Sequence, residues 1–232
     1  MSLKKKIGIF LQELFFPIID YALDKDALDI GRARQRKALQ DTVDFINKTN
    51  LQEARTFKNR FSLLKFGLHN TKIDGLYLEF GVWKGESINY IASLTDKVIY
   101  GFDSFEGFPE RWRENFDKGY FAVEKLPSVR KNVILKKGWF ADTLPKFLME
   151  ESAQCSFVFM DCNLYSSTKT VLDLLKSRIV KDTIIVFDEF FNYPGWQNGE
   201  FKAFMEYTEE NHINYEYLAY DKRRQEVVIR IL

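Results

Sequence analysis

Two residue types are scarce in this 232-residue chain, and each shortage narrows the possible functions. The only cysteines, Cys155 and Cys162, have a spacing that suits neither a CxxC redox pair nor a zinc site, so we expect a reduced, cytoplasmic protein. The only histidines, His69 and His212, lie outside the strand-like segments. Because a lone histidine is usually structural, neither is our favoured catalytic base.

The chain also lacks an excess of either charge. Lysine and arginine number 34 against 33 aspartate and glutamate residues, so no global field attracts a polyanion. We therefore expect a small-molecule substrate and no nucleic-acid partner.

No apolar run is long enough to span a bilayer, so we expect no integral membrane segment. The start of the chain has the basic opening of a signal peptide, but Gln12, Glu13 and Asp20 interrupt its apolar stretch and no cleavage site follows. Five residues form an apolar stripe on this helix: Phe10, Leu11, Leu14, Phe15 and Ile18. The stripe favours packing on the body of the protein or on a second subunit, with a membrane-surface helix as the alternative.

Composition and periodicity divide the chain in two. Hydrophobic residues make up 46%, enough for one α/β domain with an appendage. Residues 1–72 carry apolar residues at helical spacing over Arg32–Lys48 and Leu51–Asn70, which predicts a helical lid or oligomerisation region and favours a homo-oligomer. Residues 73–232 form the second unit.

Seven strand-like runs follow from residue 74: GLYLEF, KVIYGFD, NVILKKG, SFVFMD, TIIVFDE, YEYLAYD and EVVIRIL. The first five are separated by segments long enough for helical crossovers, so they should be parallel with helices on both faces. Only residues 222–225 join the last two, which predicts an antiparallel hairpin. The expected fold is a Rossmann-like, doubly wound, seven-stranded α/β sheet with N-terminal helices.

The first of these strands ends in Glu79 and runs into a turn that contains Gly81 and Gly85. The G-x-G-x-x-G pattern of dinucleotide sites is absent, and an acidic residue precedes the first glycine by two positions. The helix that follows offers free N–H groups to a carboxylate. The turn favours an amino-acid-bearing ligand with a cationic amine, although a plain strand-to-helix connection also fits.

Two later strand ends extend this interpretation. Asp103 ends the second strand, where a carboxylate can bind ribose hydroxyls, so an adenosine-bearing ligand is the leading hypothesis. The alternative is that Asp103 caps a following helix. Gly138 and Trp139 follow the third strand and could form an adenine slot, although Trp139 could equally be a core residue.

Acidic residues end the next two strands. Asp161 follows the fourth, and Asp188 and Glu189 follow the fifth. Their oxygens would suit Mg²⁺, whose Lewis acidity would lower the pKa of a substrate hydroxyl. The alternative is that Asp161 binds the cofactor while the other two only cap loops.

Five stretches together resemble the macrocin O-methyltransferase-like family, which methylates sugar hydroxyls: GLYLEFGVWKGES, YGFDSFEGFPE, KKGWFADTLP, MDCNLYSSTKTVLDLL and IIVFDEF. The resemblance spans roughly residues 74–205. It implies a class I fold, S-adenosylmethionine as cofactor and dependence on a metal.

The resemblance also assigns roles to residues. Gly81, Trp83 and Ser87 would hold the methionine end of the cofactor, in a turn that Glu79 opens. Asp103 would take the ribose with Ser104 beside it, and Gly138 and Trp139 would border the adenine. Asp161 would serve the cofactor, the metal and catalysis, with Asp188 and Glu189 completing the metal site.

The chain departs from relatives at two positions. Asn163 stands where sugar-acting relatives carry a second aspartate, and Leu164 where catechol-type enzymes carry a lysine, so no general base is assigned. Mg²⁺-assisted O-methylation of a small hydroxylated acceptor, such as a sugar, is the leading hypothesis. An NAD-linked oxidoreductase and a non-catalytic S-adenosylmethionine-binding protein are the alternatives.

Overall fold

A computed structural model describes residues 3–232, and eight strands form one sheet. The strands are β1 (Arg55–Phe57), β2 (Leu76–Phe80), β3 (Ile99–Asp103), β4 (Val133–Lys137), β5 (Cys155–Met160), β6 (Ile184–Phe187), β7 (Tyr215–Asp221) and β8 (Val227–Ile231). Their order in the sheet is β1-β7-β8-β6-β5-β2-β3-β4.

Seven helices surround or extend this sheet. They are α1 (Leu3–Leu28), α2 (Ile30–Asn47), α3 (Arg60–His69), α4 (Glu86–Ser93), α5 (Phe140–Glu150), α6 (Tyr165–Leu174) and α7 (Glu200–Glu210). Asp29 caps α2 and Asn59 caps α3, each by accepting a backbone N–H three residues ahead.

The pairing directions confirm the predicted fold class. Strands β2 to β6 pair in parallel, and β7 and β8 form the expected antiparallel hairpin, with β8 antiparallel to β6. The α/β sheet is therefore mostly parallel and doubly wound, with helices ahead of it in the chain.

The strand count of seven is wrong, because β1 adds an eighth strand inside a segment predicted to be helical. Over Leu51–Asn70, the structure has a 3₁₀ turn at Asn50–Glu53, then β1, and only then α3. β1 is the edge strand and pairs in parallel with β7, with Thr56 opposite Tyr220. Without β1, β7 would leave its backbone groups unpaired at the edge of the sheet, and helical periodicity in the sequence could not reveal this long-range pairing.

Two apolar clusters lie on opposite faces of the sheet. One packs α3 and α4 against the sheet through Leu64, Leu68, Ile88 and Ile91. The other packs α5, α6 and α7 on the opposite face, where Phe45 of α2 also joins it. Alternating strand residues point to the two faces, so both are covered as in other parallel sheets.

Helix α1 does not bury its apolar stripe against the rest of the chain. Phe10, Leu11, Leu14, Phe15 and Ile18 are 44–63% exposed. Packing of this stripe on the body of the protein is therefore not observed, and the second-subunit and membrane-surface alternatives stay predictions. None of the helices described for residues 3–232 has the length and apolarity that crossing a lipid bilayer demands.

The sheet order places a crevice at the ends of the central strands. From β2 the chain continues outwards through β3 to β4, and it then returns to β5 on the other side of β2. Such a reversal leaves a crevice at the carboxyl ends of the strands, where open α/β sheets bind ligands.

We expect leucine-to-alanine substitutions in α3 and α1 to have different effects. Leu64 of α3 is 1% exposed, so Leu64→Ala should lower the free energy of unfolding by about 2–5 kcal/mol. Leu14 of α1 is 52% exposed, so Leu14→Ala should change it by less than about 0.5 kcal/mol. Urea denaturation at a concentration where the chain is monomeric measures both. A loss at Leu14 equal to that at Leu64 would show that α1 packs on the body.

Candidate active site

The glycine turn after β2 is held against two neighbouring strand ends. Gly81 has a φ of +93°, and a Cβ added there would lie 1.8 Å from the carbonyl oxygen of Asp161, so only glycine fits. The N–H groups of Val82 and Trp83 donate to Asp103 Oδ2 at 2.7 and 2.8 Å. The turn therefore connects the ends of β2, β3 and β5.

The Asp103 carboxylate organises the loops on its side of the crevice. Its Oδ1 accepts the N–H of Phe105 at 2.7 Å, and Ser104 beside it accepts the N–H of Glu106 at 3.1 Å. No helix follows β3 before β4, so the alternative role of a helix cap is wrong. Asp103 braces the glycine turn and also faces the crevice.

Glu79 lies outside the crevice wall and contacts one of the wall residues, Ser87. Its side chain is fully buried, and Ser87 Oγ donates to its Oε1 at 2.7 Å. Burial raises the pKa of Glu79 well above the usual value for a glutamate. Ser87 lines the crevice whereas Glu79 does not, so Glu79 acts on the site through Ser87.

Most of the predicted residues line one cavity of about 230 Å³. They are Gly81, Trp83, Ser87, Asp103, Ser104, Trp139, Asp161, Asp188 and Glu189. Glu79 and Gly138 are not part of its wall. Trp139, at the start of α5, is only partly buried and contributes to the wall, so it is not the core residue of the alternative interpretation. Phe108 and Phe121, which the sequence analysis did not select, add aromatic surface.

The three acidic residues converge as predicted. Ligand oxygens of Asp161, Asp188 and Glu189 all lie within 4.8 Å of one another. Burial raises the pKa of all three carboxyls, and the charge of Asp161 raises those of the other two further. Such a cluster requires a cation to keep it ionised.

Arg60 supplies a positive charge to this cluster, and the sequence analysis did not identify it. Its Nη2 donates to Asp161 Oδ2, and its Nε lies 2.8 Å from Asp188 Oδ1. The guanidinium also sits over the Phe159 ring, 5.3 Å from the centroid. Burial alone would lower the pKa of Arg60, but the two aspartates more than offset this and raise it. Arg60 is therefore charged.

The acidic residues also fit a hard divalent cation. Within the described part of the chain, Glu189 Oε2 is buried and makes no hydrogen bond, so this oxygen has no polar partner. Three carboxylates from neighbouring strand ends are the oxygen ligands that Mg²⁺ prefers, and Mg²⁺ retains water at its other positions. Asp161, Asp188 and Glu189 can thus hold a metal.

Glu200, at the start of α7, is a positioning residue that the sequence analysis also missed. Its carboxylate is fully buried and accepts the N–H groups of Cys162, Asn163 and Glu189 at 3.3, 2.9 and 3.2 Å. Burial and the charge of Asp161 raise the pKa of Glu200 to about 8. One side chain thereby fixes the loops after β5 and β6 relative to each other.

Comparison with known proteins supports a methyltransferase. The methyltransferase-domain family matches residues 78–190, a range that contains every residue predicted for the site. No curated protein sequence matches the chain significantly.

Solved structures share the fold. A structure of CalS11, described as a calicheamicin methyltransferase, has a TM-score of 0.61 and 21% identity and covers 87% of this chain and 93% of that one. An apo structure of CalS11, described as a TDP-rhamnose 3'-O-methyltransferase, has a TM-score of 0.55, 18% identity and coverages of 87% and 95%. The O-methyltransferase NovP has a TM-score of 0.57 and 20% identity, with coverages of 74% and 78%.

Residues 78–190 thus match a methyltransferase domain, and the chain shares its fold with solved methyltransferases. This confirms the predicted enzyme class at the level of domain and fold and favours it over an NAD-linked oxidoreductase. The roles of individual residues stay predictions, as does the narrower resemblance to macrocin O-methyltransferases.

We expect Arg60 to compete with a divalent cation for the carboxylates. Arg60→Met should lower the free energy of unfolding in EDTA by about 3 kcal/mol, because it leaves the buried carboxylates unpaired. The same variant should bind Mn²⁺ more tightly than the unmodified chain, and Mg²⁺ should restore its stability. Thermal unfolding with and without metal measures stability, and calorimetric titration measures Mn²⁺ affinity.

Arg230→Met is a matched control for this test. Arg230 is as buried as Arg60 and pairs with Glu216 at 3.1 Å in another part of the sheet. This control should lose stability without any change in Mn²⁺ affinity. If Arg60→Met bound Mn²⁺ no more tightly than the unmodified chain, competition at the cluster would be excluded.

Proposed function

We propose that the chain transfers a methyl group from S-adenosylmethionine to a hydroxyl of a small acceptor, with a divalent metal assisting. One observation carries this proposal. One cavity is lined both by the glycine turn with Asp103 and by three converging carboxylates. A donor site and a hydroxyl-activating site are therefore adjacent.

The cofactor would lie along the carboxyl ends of the central strands. Gly81, Trp83 and Ser87 would hold the methionine end, where the turn exposes backbone close to the cavity. Asp103 would accept the ribose hydroxyls with Ser104 beside it, because its oxygens can accept further hydrogen bonds beyond those from the turn.

The adenine would lie next to Trp139, whose indole is partly exposed in the cavity wall. Gly138, with a φ of +140°, sets the backbone direction that presents Trp139. Glu79 would act through its hydrogen bond to Ser87.

Asp161, Asp188 and Glu189 would hold Mg²⁺. When bound, Mg²⁺ supplies Lewis acidity that favours the ionised form of a substrate hydroxyl. Asp161 borders the cofactor cavity as well as the cluster, so we propose it as the catalytic residue that aligns the hydroxyl oxygen with the donor methyl group.

The remaining wall residues would orient the reactants and exclude water. Trp83 and Phe121 make an edge-to-face contact with centroids 5.2 Å apart, and Phe121 also contacts Phe108. These rings close one side of the cavity, which strengthens electrostatic interactions inside it. Asn163 and Leu164 are unsuited to take a proton, and neither His69 nor His212 lines the cavity.

The proposed acceptor is a sugar hydroxyl. The resemblance to macrocin O-methyltransferases implies this acceptor, and the CalS11 structures are described as those of a methyltransferase for TDP-rhamnose. A second cavity, which shares Asn163 with the first, has aromatic residues in its wall that suit a sugar ring.

We propose that residues 1–72 serve self-association through α1. Its large apolar side chains are exposed, and a second copy would cover them. The four lysines and four acidic residues of α1 cancel, so the helix has no net positive charge to favour an anionic lipid surface.

The direct test is transfer of a labelled methyl group to a panel of glycosides and sugar phosphates, with and without EDTA. We expect labelled product that EDTA abolishes. Asp161→Asn should reduce transfer about 100-fold or more, because it weakens the metal site and the alignment of the hydroxyl.

Asp173→Asn is the control, since Asp173 is exposed on α6 and pairs only with Lys169 at 3.1 Å. It should transfer at the unmodified rate. Transfer that is indifferent to EDTA would contradict the metal role. Binding of S-adenosylhomocysteine without transfer to any acceptor would contradict catalysis and support the non-catalytic alternative.

A further inference from the structure

A second cavity of about 580 Å³ adjoins the candidate active site. Its walls come from α2, the loop after β3, the start of α6 and residues 193–199. Asn163 lines both cavities and follows Asp161 by two residues, so the second cavity adjoins the one that holds the acidic cluster. An acceptor bound here would have to extend past Asn163 to meet the methyl donor.

Arg113 is an unusual residue in this cavity wall. It is partly buried, with its guanidinium carbon 3.8 Å from the Trp112 ring centroid and 5.4 Å from that of Tyr193. Among the side chains that the structure describes, it makes neither an ion pair within 4.0 Å nor a side-chain hydrogen bond. Burial lowers the pKa of Arg113, as expected of a desolvated cation that lacks a close counter-ion.

Arg34 of α2 lines the same cavity, is exposed and has no ion-pair partner within the described side chains. A third arginine of the wall, Arg111, differs because it already pairs with Asp117 at 3.3 Å. Two of the three arginines are thus free to bind an anion from different elements.

The acidic residues nearby do not pair with these two arginines. Glu110 and Glu114 line the same cavity, but Glu110 accepts a hydrogen bond from Ser166 at 2.6 Å, and neither glutamate forms an ion pair in the described part of the chain. Glu189 favours the charged form of Arg113, but its oxygens belong to the carboxylate cluster and none lies within ion-pairing distance of Arg113. Arg113 and Arg34 therefore keep guanidinium N–H groups available for an anion.

Aromatic groups stand beside the arginines. Trp112, Tyr165 and Tyr193 line the cavity and give its wall apolar surface that suits the C–H groups of a sugar. The hydroxyl of Tyr193 is buried and has no hydrogen-bond partner among the described residues. This hydroxyl lies against Gly199, behind the surface of the cavity.

From this arrangement we infer that the acceptor is anionic, a sugar carrying a phosphate or diphosphate that Arg113 and Arg34 bind. This inference rests on the proposed function and specifies its substrate class. Guanidinium groups bind phosphate oxygens through paired N–H donors, and Arg113 is pre-oriented by its stacking on Trp112. The aromatic walls would hold the sugar while its hydroxyl faces the carboxylate cluster.

Calorimetric titration tests the inference in the presence of S-adenosylhomocysteine and EDTA, so that no metal bridges protein and phosphate. The probes are UDP, inorganic pyrophosphate, glucose 1-phosphate and the neutral methyl glucoside. We expect every phosphate-bearing probe to bind at least about 10-fold more tightly than methyl glucoside, because charge-assisted hydrogen bonds are the strong ones. Tighter binding of UDP than of pyrophosphate and glucose 1-phosphate would identify a nucleotide-linked sugar.

Arginine-to-glutamine variants then test which side chains bind the phosphate groups. Arg113→Gln should weaken UDP binding about 10-fold or more and Arg34→Gln several-fold. Arg130→Gln is the matched control, since Arg130 is exposed and lines neither cavity, and it should change UDP affinity less than about two-fold. Affinity for S-adenosylhomocysteine should stay unchanged in all three. If Arg113→Gln does not fold, Arg34→Gln and the loss of UDP affinity with rising salt provide the same test.

Two results would overturn the inference. One is that methyl glucoside binds as tightly as the phosphate probes, and the other is that UDP binds equally to the unmodified chain and to the Arg113→Gln and Arg34→Gln variants. Either result leaves the proposed function intact if S-adenosylhomocysteine still binds and a neutral glycoside is methylated. Failure of S-adenosylhomocysteine to bind would instead contradict the proposed function.

Discussion

Three carboxylates forced together at the edge of a parallel sheet are the constraint on which the rest of the site depends. β5 and β6 are hydrogen-bonded neighbours that run in the same direction, so Asp161 and Asp188 must emerge side by side. Their repulsion is relieved by Arg60, which reaches them from α3. The extra strand β1 precedes α3 directly and pairs with β7, which ties that helix to the body. The strand β1, at the edge of the sheet, thus helps to place the positive charge of Arg60 beside the carboxylate cluster.

The cofactor side of the cavity depends on close backbone contacts. Gly81 approaches the carbonyl of Asp161 so closely that no side chain fits between them, and Asp103 fixes the next two residues of the turn. On the other side, Glu200 joins the loops after β5 and β6 through three backbone hydrogen bonds. These contacts fix the glycine turn against the ends of β3 and β5, and the loops after β5 and β6 against each other.

The sequence predicted what depends on local pattern. Strand periodicity located β2 to β8, and strand-end carboxylates located Asp103 and the acidic cluster, because parallel strands bring their ends to one edge. It missed β1, since pairing with β7 is a long-range interaction. It also missed Arg60 and Glu200, which lie far along the chain from the carboxylates and loops they contact. No rule of sequence spacing connects Arg60 or Glu200 with the groups that they contact. The exposure of the apolar stripe on α1 could not be predicted either, because it depends on what surrounds that helix.

A crystal structure with S-adenosylhomocysteine and Mg²⁺ tests the central claim most directly. The account predicts the homocysteine carboxylate at the glycine turn, the ribose on Asp103, and Mg²⁺ on Asp161, Asp188 and Glu189 with Arg60 turned away from them. S-adenosylhomocysteine bound elsewhere, or Arg60 still on both aspartates with no metal at saturating Mg²⁺, would contradict it.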